Sequence, residues 1–132
     1  MSAFHDELRQ RFGAVIPHCA ETGILITALD KQAAVGELPY RPEWLADPER
    51  GMLHPGIVTT LVDSTCGVAL IGHLESYEPI ATVDLRVDYL RPAFAGSSVL
   101  CRAECYRVTR YIAFVRAVVQ LSSPSRPVDP QA

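Results

Sequence analysis

An aspartate stands inside an apolar stretch, Asp63 within PGIVTTLVDSTCGVALIGH from Pro55 to His73. An ionised carboxylate in such surroundings is costly unless it is paired or hydrated. Few partners are at hand, because between Gly51 and Tyr89 the only Lys or Arg is Arg86. Two readings stand: a catalytic group acting as general base or nucleophile, or a structural acceptor for a helix N-terminus or for Thr59 or Thr60. His54 precedes the same stretch, either shaping a site at its mouth or capping the helix. Pro55 has no N–H to give. Gly56 has one, and a free amide at a helix start suits developing negative charge. Thr82 lies on an alternating stretch and shares a face with Asp84, Arg86 and Asp88. Arg91 has the fork geometry that suits phosphate, although an ordinary surface arginine reads the same way.

Other chemistries find little support. His5, His18 and His73 are scattered without ligand spacing, so no metal site is expected. No GxSxG elbow occurs. Cys19, Cys66, Cys101 and Cys105 form no CxxC pair and sit among apolar residues, which reads as buried free thiols. A net charge of −3 gives no basic footprint for nucleic acid, nor is there a polybasic stretch for a membrane surface. No apolar signal core follows the start of the chain, so a cytoplasmic location is expected. The partner is then a small molecule or a second copy of the chain.

The elements that must position these residues follow from patterning. With 132 residues the chain fits one domain, read as 1–121 with a disordered, Pro-rich tail over 122–132. Phe4, Leu8, Phe12 and Val15 predict an amphipathic helix over 3–15, ended by Pro17. Residues 22–38 read as two strands, with Ile24, Ile26 and Ala28 alternating against Leu25 and Thr27. Residues 39–51, with Pro39, Pro42 and Pro48, read as loop, in which Trp44 either anchors the chain or lines a pocket. The stretch from Pro55 predicts a helix buried all round, with Pro55 in its first turn and Gly72 at its end. Asp63 argues against a membrane span. Three antiparallel strands follow, over 80–90, 98–108 and 111–121. One sheet of about five strands curled around a central helix satisfies this order: α+β, not a parallel α/β sheet.

That order resembles the hotdog fold of acyl-CoA thioesterases, in particular the group typified by the phenylacetate-degradation (PaaI-like) proteins. The resemblance rests on GMLHPGIVTTLVDSTCG, with His54, Gly56, Asp63 and Gly67, and on TVDLRVDYLRPA, from Thr82 to Ala93; it spans about residues 20–120. TRYIAFVRAVV, residues 109–119, looks like the family's penultimate strand. The resemblance implies hydrolysis of a medium-chain or aryl acyl-CoA without cofactor or metal. It makes Asp63, His54, Gly56 and Thr82 catalytic, and Pro55, Thr59, Thr60 and Arg91 substrate-binding. It also implies a homodimer or homotetramer in which His54–Gly56 of one chain meets Asp63 and Thr82 of the other.

The chain departs from the family at Pro55 and Pro48, where relatives place a glycine amide and an asparagine that polarise the thioester oxygen. It also ends in SSPSRPVDPQA, where relatives usually add one more strand, so its sheet is one strand short or has a covered edge. Those departures leave a second class open, a non-catalytic acyl-CoA binding or sensing module. An enoyl-CoA hydratase is disfavoured, since no Asp-x4-His pattern precedes the central helix.

Overall fold

A computed structural model describes residues 2–122. The expected tail therefore lies outside the described residues, apart from Ser122. The elements run α1 (Ala3–Val15), α2 (Pro17–Thr22), β1 (Leu25–Leu29), β2 (Ala34–Leu38), a 3-10 turn (Pro42–Trp44), β3 (Leu45–Asp47), β4 (Met52–Leu53), α3 (Pro55–Leu74), β5 (Val99–Val108) and β6 (Ala113–Leu121). β1, β2, β5 and β6 form one antiparallel sheet in the order β1-β2-β5-β6. The long helix α3 lies against this sheet, which is the hotdog arrangement.

Helix α1 starts where the Ser2 hydroxyl accepts the His5 N–H, and it buries Leu8 and Phe12. Val15 stays exposed. Pro17 does more than end the helix: Ile16 is extended and Pro17 opens α2 at its first position, where a missing N–H costs nothing. In β1 a register shift between Ile26 and Ala28 breaks the expected alternation, so Leu29 rather than Ala28 turns inward. The stretch expected to be loop carries the 3-10 turn and the small β3–β4 ladder, where Leu45 pairs with Leu53.

Helix α3 buries Val58, Leu61, Val62, Thr65, Val68, Ala69 and Gly72. These positions recur every three or four residues and make one face. The expectation of burial all round is therefore corrected: the sheet covers one side, while Asp63 on the other is exposed. By length and composition alone α3 would suit a membrane span, but its apolar face is occupied by β2 and β5. Gly36 on β2 makes that approach possible, since a Cβ there would run into the Thr65 hydroxyl. Gly72 does not end the helix. A Cβ at that position would come within 2.8 Å of Leu29, and its carbonyl accepts a hydrogen bond from His5 Nε2 at 2.9 Å. The helix ends two residues later, at Leu74, and is capped by Glu75 in the left-handed region at φ 54°.

Residues 80–90 are the main departure. They alternate cleanly, yet among the described residues they join no ladder, so the sheet has four strands rather than about five. Val83 and Leu90 are 88% and 90% exposed, and Leu85 and Val87 are half-buried. Alternation encodes a two-faced extended segment but not a neighbour for its backbone. This segment is tied to α3 by side chains instead.

Candidate active site

The start of α3 is fixed from behind. The His54 N–H donates to the Trp44 carbonyl at 2.7 Å, and the Leu53 N–H donates to the Ala93 carbonyl at 2.8 Å. Trp44 in turn donates from its ring to the Pro39 carbonyl at 3.2 Å, so it anchors its loop. His54 is the N-cap: its Nδ1 accepts the Gly56 N–H at 2.8 Å. A Cβ on residue 56 would lie 2.9 Å from that nitrogen, so only glycine allows the ring to fold back unhindered. The Ile57 N–H donates to the His54 carbonyl at 3.2 Å. The expected free donor is thus corrected. Pro55 has no N–H, and those of Gly56 and Ile57 are already engaged within the turn.

Two turns along, Asp63 accepts a hydrogen bond from Thr82 Oγ1 at 2.6 Å. A hydroxyl bond to a carboxylate at this distance is charge-assisted, and it orients one oxygen while the other stays available. The alternative pairing of Asp63 with Thr59 or Thr60 is not found. Both threonines turn back on their own helix, Thr59 to the Pro55 carbonyl and Thr60 to the Gly56 carbonyl, each at 3.2 Å.

Thr59, Thr60, Asp63 and Ser64 from α3 face Thr82 and Leu85 across an open cleft of about 260 Å³, with His18 at its wall. Local patterning gives His18 no partner at ligand spacing. It arrives through α2, whose Cys19 Sγ lies 3.7 Å from Ser64 Oγ, a contact that no local pattern announces. Tyr89 was also missed as a site residue. Its hydroxyl donates to the Pro55 carbonyl at 2.9 Å and lies 2.6 Å from Thr59 Oγ1. Its place in the Tyr-Leu-Arg-Pro-Ala phrase was the available signal. Arg91 is exposed and is not brought to the cleft.

A thiol nucleophile is disfavoured on physical grounds. Burial pushes Cys66 up to about 12, with smaller contributions from Cys101 and the Asp63 charge. Burial also pushes Cys101 up to about 11. Neither is a thiolate at neutral pH. Cys19 and Cys105 are buried, and all four cysteines are free. The cleft therefore offers one carboxylate, one imidazole and a set of hydroxyls. That is the equipment for moving a proton between water and an acyl compound.

Residues 50–126 match the family model described as Thioesterase superfamily. Among solved structures, a protein from Pseudomonas aeruginosa is 36% identical, with a TM-score of 0.79 over 95% of this chain and 92% of that one. A mutant of the phenylacetic acid degradation protein PaaI from Thermus thermophilus is 28% identical, with a TM-score of 0.71 over 81% of this chain and 88% of that one. A curated protein from Saccharolobus solfataricus, provisionally named an esterase, is 30% identical over 73 residues. Those residues are 55% of this chain, which spans about half (50%) of that relative's length.

Proposed function

The chain belongs to the thioesterase superfamily, and on that premise we propose that it hydrolyses acyl-CoA thioesters to a free acid and coenzyme A. The observation that carries the reading is the Thr82–Asp63 hydrogen bond at 2.6 Å inside an open cleft. A carboxylate with one oxygen held and the other free is placed to take a proton from water or to add to the acyl carbon. Leu85 on the wall suits a medium-chain or aryl acyl group. No metal or cofactor takes part in this scheme.

The reading includes a homodimer or homotetramer in which a second copy covers the cleft. It is supported by the unpaired segment 80–90, with Val83 and Leu90 almost fully exposed, and by β6, whose outer edge has no partner among the described residues. A cytoplasmic location belongs to the same proposal.

A second reading keeps acyl-CoA binding without efficient turnover. It is favoured by Pro55 and Pro48 and by the engagement of the Gly56 N–H with His54. Thiol release from short, long and aryl acyl-CoAs separates the two, with Asp63→Ala run in parallel. Turnover that collapses in the variant supports the enzyme. No turnover together with calorimetric binding of acyl-CoA supports the binding module.

A further inference from the structure

We propose that the Thr59 hydroxyl, held ready by Tyr89, donates the hydrogen bond that stabilises the oxyanion. The inference rests on the thioesterase reading and deepens it. Attack on a thioester carbonyl puts negative charge on its oxygen, and that charge needs a donor already in position. A helix start normally supplies one from its amides. Here it does not: Pro55 has none, and the N–H groups of Gly56 and Ile57 are bound to His54 at 2.8 Å and 3.2 Å.

The hydroxyls lining the cleft remain. Thr82 is committed to Asp63 at 2.6 Å. Thr60 donates to the Gly56 carbonyl with no competitor among the described residues. Among the described residues Ser64 meets only the Cys19 sulfur, at 3.7 Å, and as the sequence neighbour of Asp63 it does not share that residue's helix face. Thr59 differs from all of these. Its carbonyl acceptor, on Pro55, already receives the Tyr89 hydroxyl at 2.9 Å, the shorter bond, against 3.2 Å for Thr59. Tyr89 and Thr59 also touch at 2.6 Å, so two protons serve three contacts. When the Tyr89 hydroxyl swings from Pro55 to donate to Thr59 Oγ1 across the 2.6 Å contact, the Thr59 proton is released from both neighbours and can turn to a ligand.

Spacing supports the assignment. Thr59 and Asp63 are four residues apart on one helix face, which puts their Cβ atoms about 5–6 Å from each other. That gap admits a carbonyl against the hydroxyl and a water against the carboxylate. Both groups belong to one chain, so the assignment holds whether the opposite wall is solvent or a second copy. The water oxygen bonds to the acyl carbon as its proton passes to Asp63, and the carbonyl π pair moves onto oxygen, which accepts the Thr59 O–H. The pair returns, the C–S bond breaks, and the leaving thiolate takes the proton from Asp63.

Thiol release by Thr59→Val, Thr59→Ser, Tyr89→Phe and the Thr59→Val/Tyr89→Phe double variant tests this, with melting curves alongside. Thr59→Val lowers kcat about 10²-fold or more with KM little changed, as loss of an oxyanion donor does. Thr59→Ser, which keeps the hydroxyl, retains most of the rate. Tyr89→Phe lowers kcat, and the double variant is no slower than Thr59→Val alone, because Tyr89 acts through Thr59. A Thr59→Val enzyme with wild-type kcat overturns the inference, as does equal loss in Thr59→Ser. Additive losses in the double variant overturn the role of Tyr89. A wild-type chain with no turnover overturns the thioesterase reading itself, and this inference with it.

Discussion

Helix α3 is held in two different ways on its two sides. Toward the sheet it presents Leu61, Thr65, Val68 and Ala69, all at or near full burial, to β2 and β5. Toward the cleft it presents Thr59, Thr60, Asp63 and Ser64 to the segment 80–90, which joins no ladder among the described residues. The first side is fixed by packing, where each methyl group lost leaves a void. The second is fixed by a few side-chain hydrogen bonds, Thr82 to Asp63 and Tyr89 to Pro55. Stability is concentrated on one side, and polar groups free to meet a ligand are concentrated on the other.

Substitutions should divide along that line. The largest effect on folding is expected at Leu61, which is fully buried. Leu61→Ala should cost about 2–5 kcal/mol in denaturant unfolding and lower the melting temperature by roughly 10 °C. A loss under about 1 kcal/mol would mean that the sheet side is not where the fold is held. Thr82→Val reverses the pattern. Turnover should fall roughly tenfold or more, as when a general base loses the group that orients it, while stability falls by only about 1 kcal/mol because the bond is solvent-exposed.

The buried Cys101 and the half-buried Cys66, which packs against the core, give the packed side a pH signature. Folding raises Cys101 from 9.0 to about 11 and Cys66 from 9.0 to about 12, first by burial. A raised folded value contributes stability that is full below the unfolded value and lost as pH rises toward the folded one. Unfolding free energy should therefore decline from about pH 9 upward, and Cys101 should resist alkylation in the native chain at pH 8. A flat profile across that window would contradict the burial. The smallest effect is expected at His18, exposed on the cleft wall: His18→Ala should leave stability within about 0.5 kcal/mol while weakening acyl-CoA binding in calorimetry.

The helix from Pro55 and the strands β5 and β6 were legible in the chain, from periodicity and from the two quoted motifs, but the division between the two sides of that helix was not. What was not legible depended on contacts between distant segments. The alternation of 80–90 reads as a strand, but no local pattern says whether a neighbouring backbone takes up its N–H and C=O groups. The apolar content of α3 suggested burial all round, whereas only its sheet side is covered. Gly72 carries a helix-stop signal that is also the signal for close packing, and contact with Leu29 decides between them. His18 and Tyr89 lie 45 and 26 residues from Asp63, so only the fold brings them to one cleft.

The most direct test of the central claim is thiol release from medium-chain and aryl acyl-CoAs by the wild type and Asp63→Asn, with melting curves for both. Asparagine keeps the shape and removes the charge. The account predicts a native melting temperature and a rate lower by about 10²–10⁴-fold, the span of general acid–base catalysis. An Asp63→Asn chain that turns over at the wild-type rate would contradict it.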